Sequence, residues 1–229
     1  MTVRLVLASA SPARLRTLRD AGVWADVVVS GVEEESVTDA EPARLAQRLA
    51  ELKARAVSTR IAGTAAAAGE RVVVVGCDSV FELEGRSYGK PGSPHEARRR
   101  LHAVSGRSGL LHTGHFVIEL ATGRQVGSAA CTVVTFSEMS DPEIDAYVAT
   151  GEPLEVAGAF TLDGRAGAFI DGVEGDPHNV VGISLPHLRR LLGELGIPWT
   201  DLWTPPTGGP AGSLDGKAEP ARDEHPLNL

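Results

Sequence analysis

Cysteine is scarce in this 229-residue chain, with only Cys77 and Cys131, far apart and without the paired Cys/His spacing of a metal knuckle. That excludes a disulfide framework and a zinc site, and both thiols are expected as small core residues. Basic charge is also in deficit, the net charge being −8. A global field of that sign works against non-specific nucleic-acid binding, so any polyanionic ligand must be met by a local cluster of Arg and Lys. No apolar run approaches the length of a membrane span, and Met1 leads towards a strand without a signal pattern, so the cytoplasm is the expected compartment. No G-x-G-x-x-G joins the first strand to its helix, which argues against a dinucleotide-binding dehydrogenase.

What is present is concentrated first in Leu5 to Gly22. Leu5, Val6 and Leu7 read as a buried strand, and Ser11 followed by Pro12 reads as the N-cap and first position of a helix that Gly22 ends. Arg14 falls in the first turn, where a cation opposes the helix dipole. Free N–H groups there, together with the Ser9 and Ser11 hydroxyls, suit an anion. An ordinary capped helix with a solvated arginine explains the stretch alone equally well.

Ala25 to Val29 reads as a second strand, followed by the acidic run Glu33, Glu34 and Glu35, one member of which could face the site. Pro42 to Val57 carries Leu45, Leu49, Leu52 and Ala56 at helical spacing, which leaves Lys53 off that stripe, either exposed or aimed at a cleft. Gly63 to Gly69 is expected as a surface loop. Val72 to Val75 is a continuous β-branched run covered on both faces, with Asp78 predicted at its end, a position suited to a metal ligand or general base. A hairpin turning at Gly85 precedes Gly89-Lys90-Pro91, whose stiffness would present a cation.

Ser93 to Glu96 is a capping box opening a helix whose Arg98, Arg99 and Arg100 are expected on a solvated face. Leu110 to Leu120 and Val126 to Phe136 read as an antiparallel pair, in which His112 and His115 face opposite sides and each is structural. Asp141-Pro142 is expected to cap another helix that Gly151 ends. The glycine-dense stretch from Gly164 to Gly182 suits close backbone approach to a ligand and includes Asp176, His178 and Asn179. Pro186 to Leu195 reads as the last helix, and the sequence from Pro205 has a disordered composition. One domain over 1–200 with a tail over 205–229 is expected.

Several of these segments together resemble the Maf family of nucleoside triphosphate pyrophosphatases: Leu7 to Arg14, Glu33-Glu34, Lys53-Ala54, Gly76-Cys77-Asp78-Ser79, Gly89-Lys90-Pro91, Ser105-Gly106, His112-Thr113-Gly114, Ala157 to Phe160, and Asn179 to Pro186. The matches run in order from Leu5 to about Ile197, which makes them far more specific than any single motif. The resemblance implies an inosine-triphosphatase-like α/β fold: an elongated mixed sheet flanked by helices, in two lobes around a central cleft, commonly as a homodimer.

The resemblance further implies hydrolysis of a nucleoside triphosphate to a monophosphate and pyrophosphate, with Asp78 as the catalytic proton acceptor. Ser9, Ser11, Arg14, Lys53, Ser79, Lys90 and Asp163 are the expected substrate-binding residues. Glu34 and Asp78 are the expected ligands of a divalent cation, Mg²⁺ or Mn²⁺. Three positions depart from the branch acting on dTTP and UTP: Ala13 replaces an arginine, Ser79 a threonine and Asp163 a glutamine. Since the family takes its name from an association with inhibition of septum formation, a nucleotide-binding regulator of division is the rival reading.

Overall fold

A computed structural model describes residues 3–39, 41–68 and 71–203; the predicted disordered tail lies outside them. The strands are β1 (Val3–Leu7), β2 (Ala25–Val27), β3 (Arg71–Leu83), β4 (Arg86–Tyr88), β5 (Ser108–Glu119), β6 (Gln125–Phe136) and β7 (Ile170–Glu174). The helices are α1 (Pro12–Asp20), α2 (Pro42–Ala68), α3 (Pro94–Val104), α4 (Asp141–Ala149), α5 (Pro177–Val181) and α6 (Leu185–Glu194). The strands form one mixed seven-stranded sheet in the order β2-β1-β3-β5-β6-β7, with β4 paired to β3 off that path. β1 is parallel to β2 and β3, while the pairs from β3 through β5 and β6 to β7 are antiparallel. No helix of the described residues is long and apolar enough to cross a membrane.

β3 is the axis of the sheet, and its alternation allots its two faces. Val73, Val75 and Cys77 pack with Leu5, Leu7, Leu188 and Leu192 beneath α6, whereas Val72 and Val74 pack with Ala50, Ala54 and Val57 of α2. Further along, Phe81 and Leu83 enter a separate core with Leu101, Phe136 and Phe160. The turn at Glu84 and Gly85, both with positive φ, folds β4 back onto β3, as a tight hairpin requires.

Asp78 does not end its strand. It lies inside β3; what stops nearby is β1, whose last pair is Leu7 with Val75, while β4 begins pairing only at Phe81. Residues 76–80 therefore pair with β5 on one side and face a gap in the sheet on the other. The β-branched run reads as a strand, but where its neighbours stop is a tertiary fact.

Helix α2 corrects two further expectations. Its backbone stays helical to Ala68, through the predicted loop, with Gly69 outside the described residues. Its buried face is Ala46, Leu49, Ala50, Lys53, Ala54 and Val57, whereas Leu52 is exposed. Small residues face inward because the helix lies against the sheet at two glycines. A Cβ on Gly76 would come 2.1 Å from the Ala50 carbonyl oxygen, and one on Gly114 would come 2.2 Å from that of Ala46. A leucine stripe would hold the helix off.

Smaller differences have local causes. Ser140, one residue before the predicted cap, starts α4, its N–H donating to Glu143 at 2.8 Å. Arg98 pairs with Asp145, and Arg99 and Arg100 share Glu96, so these arginines lie in surface ion pairs. Cys77 is buried as expected, but Cys131 is exposed on β6. His115 is fully buried; its Nδ1–H donates to the Thr113 carbonyl at 2.9 Å and its Nε2 accepts the Ser184 N–H at 2.9 Å, tying the start of α6 to β5. Burial, with the charge of His187 adding to it, pushes the His115 pKa down to about 3.

Two outcomes are expected. Gly114→Val should force α2 off the sheet at a cost of about 1–3 kcal/mol, seen as a Tm lower by roughly 3–10 °C in thermal denaturation. Because His115 is neutral when folded and takes up a proton when unfolded below about pH 6.5, its contribution is present above that pH and lost as the pH falls towards about 3. Urea unfolding should show a loss of about 1.4 kcal/mol per pH unit across that window, and His115→Gln should remove that part of the acid slope.

Candidate active site

A cleft of about 720 Å³ opens at the gap beside β3. It is lined by every residue expected from the sequence: Ser9, Ser11, Arg14, Glu34, Lys53, Asp78, Ser79, Lys90 and Asp163. Because β3 alternates and its edge is open here, Asp78 projects towards α2 and Ser79 towards α1, so the cleft draws on both faces of the sheet.

On the α2 face, the Lys53 ammonium donates to the Asp78 carboxylate and also pairs with Glu34 Oε1 at 2.6 Å. Lys53 is 5% exposed and Asp78 6%. Burial pushes the Asp78 pKa up from the ordinary aspartate value, a tendency that the charges of Lys53 and Arg14 oppose. For Glu34, burial also disfavours the charged form, but the Lys53 hydrogen bond and the charges of Lys53, Lys90 and Arg14 outweigh it and hold its carboxyl below the usual range. Glu34 is thus the member of the acidic run that pairs with Lys53, while Glu35 also lines the cleft. Among the described residues no group of three or more His, Cys, Asp and Glu side chains is placed to hold a metal ion. The two carboxylates converging on Lys53 are a partial oxygen set, of the kind that holds Mg²⁺ when substrate oxygens and water complete the shell.

On the α1 face, Arg14 is 8% exposed and committed to the protein. Its Nε–H donates to the Gly182 carbonyl at 2.7 Å, Nη1 to Ser9 Oγ at 2.9 Å and Nη2 to Ser79 Oγ at 3.0 Å. Gly182 has φ +118, and a Cβ there would lie 3.1 Å from Arg14 Nε, so the glycine permits the backbone to close on the guanidinium. Ser11 caps α1 as expected, accepting the Arg14 N–H at 3.4 Å. Arg14 acts on the cleft mainly through its charge, since three of its five N–H donors are taken.

Lys90 is the contrasting cation: exposed, with no ion-pair partner among the described residues. Its segment is fixed by the Gly89 carbonyl, which accepts the Gly158 N–H at 3.2 Å and Arg100 Nη1 at 2.5 Å. Asp163, which also lines the cleft, pairs with Arg16 at 2.8 Å. Sequence reasoning gave no role to Arg16, Thr113 or Asn179. Thr113 and Asn179 are fully buried, Thr113 with its hydroxyl 2.9 Å from that of Ser79 and 3.1 Å from the Asn179 carbonyl oxygen. The available signal for Thr113 was its place in the matched His112-Thr113-Gly114 motif.

Comparison with known proteins shows the family. The family described as "Maf-like protein" matches residues 4–195. A nucleoside triphosphate pyrophosphatase of Streptomyces coelicolor is 55% identical over 202 residues, 88% of this chain and 95% of that protein. One from Salinispora tropica is 52% identical over 89% of each chain, and one from Cutibacterium acnes 47% identical over 91% of this chain and 99% of its own. By the extent of these matches, which span the sheet, α1, α2 and every wall of the cleft, the chain belongs to the Maf family.

Proposed function

We propose that this protein hydrolyses nucleoside triphosphates between the α and β phosphates, releasing a nucleoside monophosphate and pyrophosphate. The observation that carries the reading is the Asp78 carboxylate, buried at a gap in the sheet, hydrogen-bonded to Lys53 and opening onto a cleft that also presents Lys90. The name shared by relatives about half identical in sequence supports it.

Phosphoryl transfer asks the protein chiefly for positioning and charge neutralisation. Lys90, in no ion pair among the described residues, takes the triphosphate, and the charge of Arg14 favours it as well. Asp78 accepts a proton from water as the water oxygen bonds to the α phosphorus and the bridging α–β oxygen leaves with pyrophosphate. Lys53 opposes the effect of burial on Asp78 and so favours its ionised, proton-accepting form. Glu34 and Asp78 are the carboxylates that would hold Mg²⁺ or Mn²⁺, which when bound supplies neutralisation and polarisation of the phosphate oxygens.

The resemblance extends the reading to a homodimer in the cytoplasm. The two apolar cores at opposite ends of β3, either side of the cleft, support the two-lobed inosine-triphosphatase-like fold.

Pyrophosphate release from a panel of standard and modified nucleoside triphosphates, with Mg²⁺ or Mn²⁺, tests the reading and names the base. Asp78→Asn is expected to lose roughly 10²–10⁴ of the turnover while still binding nucleotide. Lys90→Ala is expected to raise KM with kcat nearly unchanged, as for a contact made equally in ground and transition states. Nucleotide binding without turnover on any triphosphate would overturn hydrolysis and leave the regulatory reading.

A further inference from the structure

The two serines of the cleft have opposite hydrogen-bonding polarity. The Asn179 carbonyl oxygen can only accept, so the contact at 3.1 Å uses the single proton of the Thr113 hydroxyl. Thr113 must then accept in its 2.9 Å contact with Ser79, which makes Ser79 the donor. Ser79 in turn accepts Arg14 Nη2–H at 3.0 Å, leaving one lone pair and no proton for the cleft it lines. Asn179 anchors the chain, its Nδ2 donating to the Leu111 carbonyl at 3.0 Å and to Thr132 Oγ1 at 3.1 Å. Ser9 is the reverse case. Its oxygen accepts the Ser11 N–H at 3.2 Å and Arg14 Nη1–H at 2.9 Å, and its own proton has no protein acceptor among the described residues.

We infer that Thr113 is a positioning residue: by taking the Ser79 proton it makes Ser79 an acceptor for a hydrogen-bond donor on the nucleoside half of the substrate, a sugar hydroxyl or a base N–H, while Ser9 donates to a phosphate oxygen. The inference rests on the nucleotide reading of the cleft. A lone pair aimed at a phosphate oxygen repels it, and a proton aimed at it attracts it. Thr113 touches no substrate itself; the side chain acts through the direction of one O–H bond.

Inorganic tripolyphosphate separates the two halves, because it offers phosphate oxygens and no nucleoside. Its inhibition constant is measured beside kcat/KM for the best triphosphate of the panel, in wild type, Thr113→Val, Thr113→Ser and Ser9→Ala. Thr113→Val, close in shape but without a hydroxyl, is expected to lower kcat/KM roughly three- to tenfold, the range for one hydrogen bond, with tripolyphosphate inhibition unchanged. Thr113→Ser is expected to restore the wild-type value, and Ser9→Ala to weaken tripolyphosphate binding by a similar factor. Equal losses for nucleotide and tripolyphosphate in Thr113→Val, or no loss of kcat/KM, overturn the inference. Should Thr113→Val fail to fold, Ser79→Ala is read the same way: nucleotide-selective loss supports the inference and a tripolyphosphate-selective loss overturns it. Wild-type protein that releases no pyrophosphate removes the nucleotide reading itself, and this inference with it.

Discussion

The hydrogen-bonded ion pair between Lys53 and Asp78 is the contact on which the cleft depends. Both side chains are almost wholly out of water, and a charge buried there without its partner would cost about 3–5 kcal/mol. Their meeting needs α2 to lie almost on the sheet, and that approach exists only because Gly76 and Gly114 lack a Cβ where the helix carbonyls pass. The glycines and the alanines of α2 are therefore part of the site, though none of them carries chemistry.

The gap in the sheet performs the complementary task. Consecutive residues of one strand normally serve opposite faces and cannot share a ligand. Where β1 stops and β4 has not begun, the cleft reaches round the open edge of β3, so Asp78 and Ser79 both line it. One face supplies the carboxylates and Lys53, the other the Arg14 network with Ser9, Ser79 and the Gly182 carbonyl. The cation expected to be free in the cleft, Lys90, arrives from neither face but from the segment following β4.

Much of this was legible in the residues. Ser11-Pro12 fixes the start of α1, the valines of β3 announce a strand covered on both sides, and the ordered motifs bring all nine expected site residues to one cleft. The failures share a cause. Leu52 carries more hydrophobicity than Ala50 or Ala54, so a periodicity argument selects the leucine side of α2, whereas packing distance selects the alanine side. Asp78 looked terminal because Gly76 and Cys77-Asp78-Ser79 interrupt the valine run, yet strand pairing with β5 continues through them. The commitments of Arg14 and Thr113 depend on residues far away in the chain, Gly182 and Asn179, which no local pattern connects.

The central claim is that Lys53 serves the reaction through Asp78 and not through an independent hold on the substrate. A double-mutant cycle on kcat/KM for pyrophosphate release, with Lys53→Met, Asp78→Asn and the pair combined, tests it most directly. The double variant is expected to be no worse than Asp78→Asn alone, since the carboxylate through which Lys53 acts is already gone and its remaining pair with Glu34 serves no proton transfer. Losses that multiply would contradict it, and would place Lys53 on the substrate in its own right.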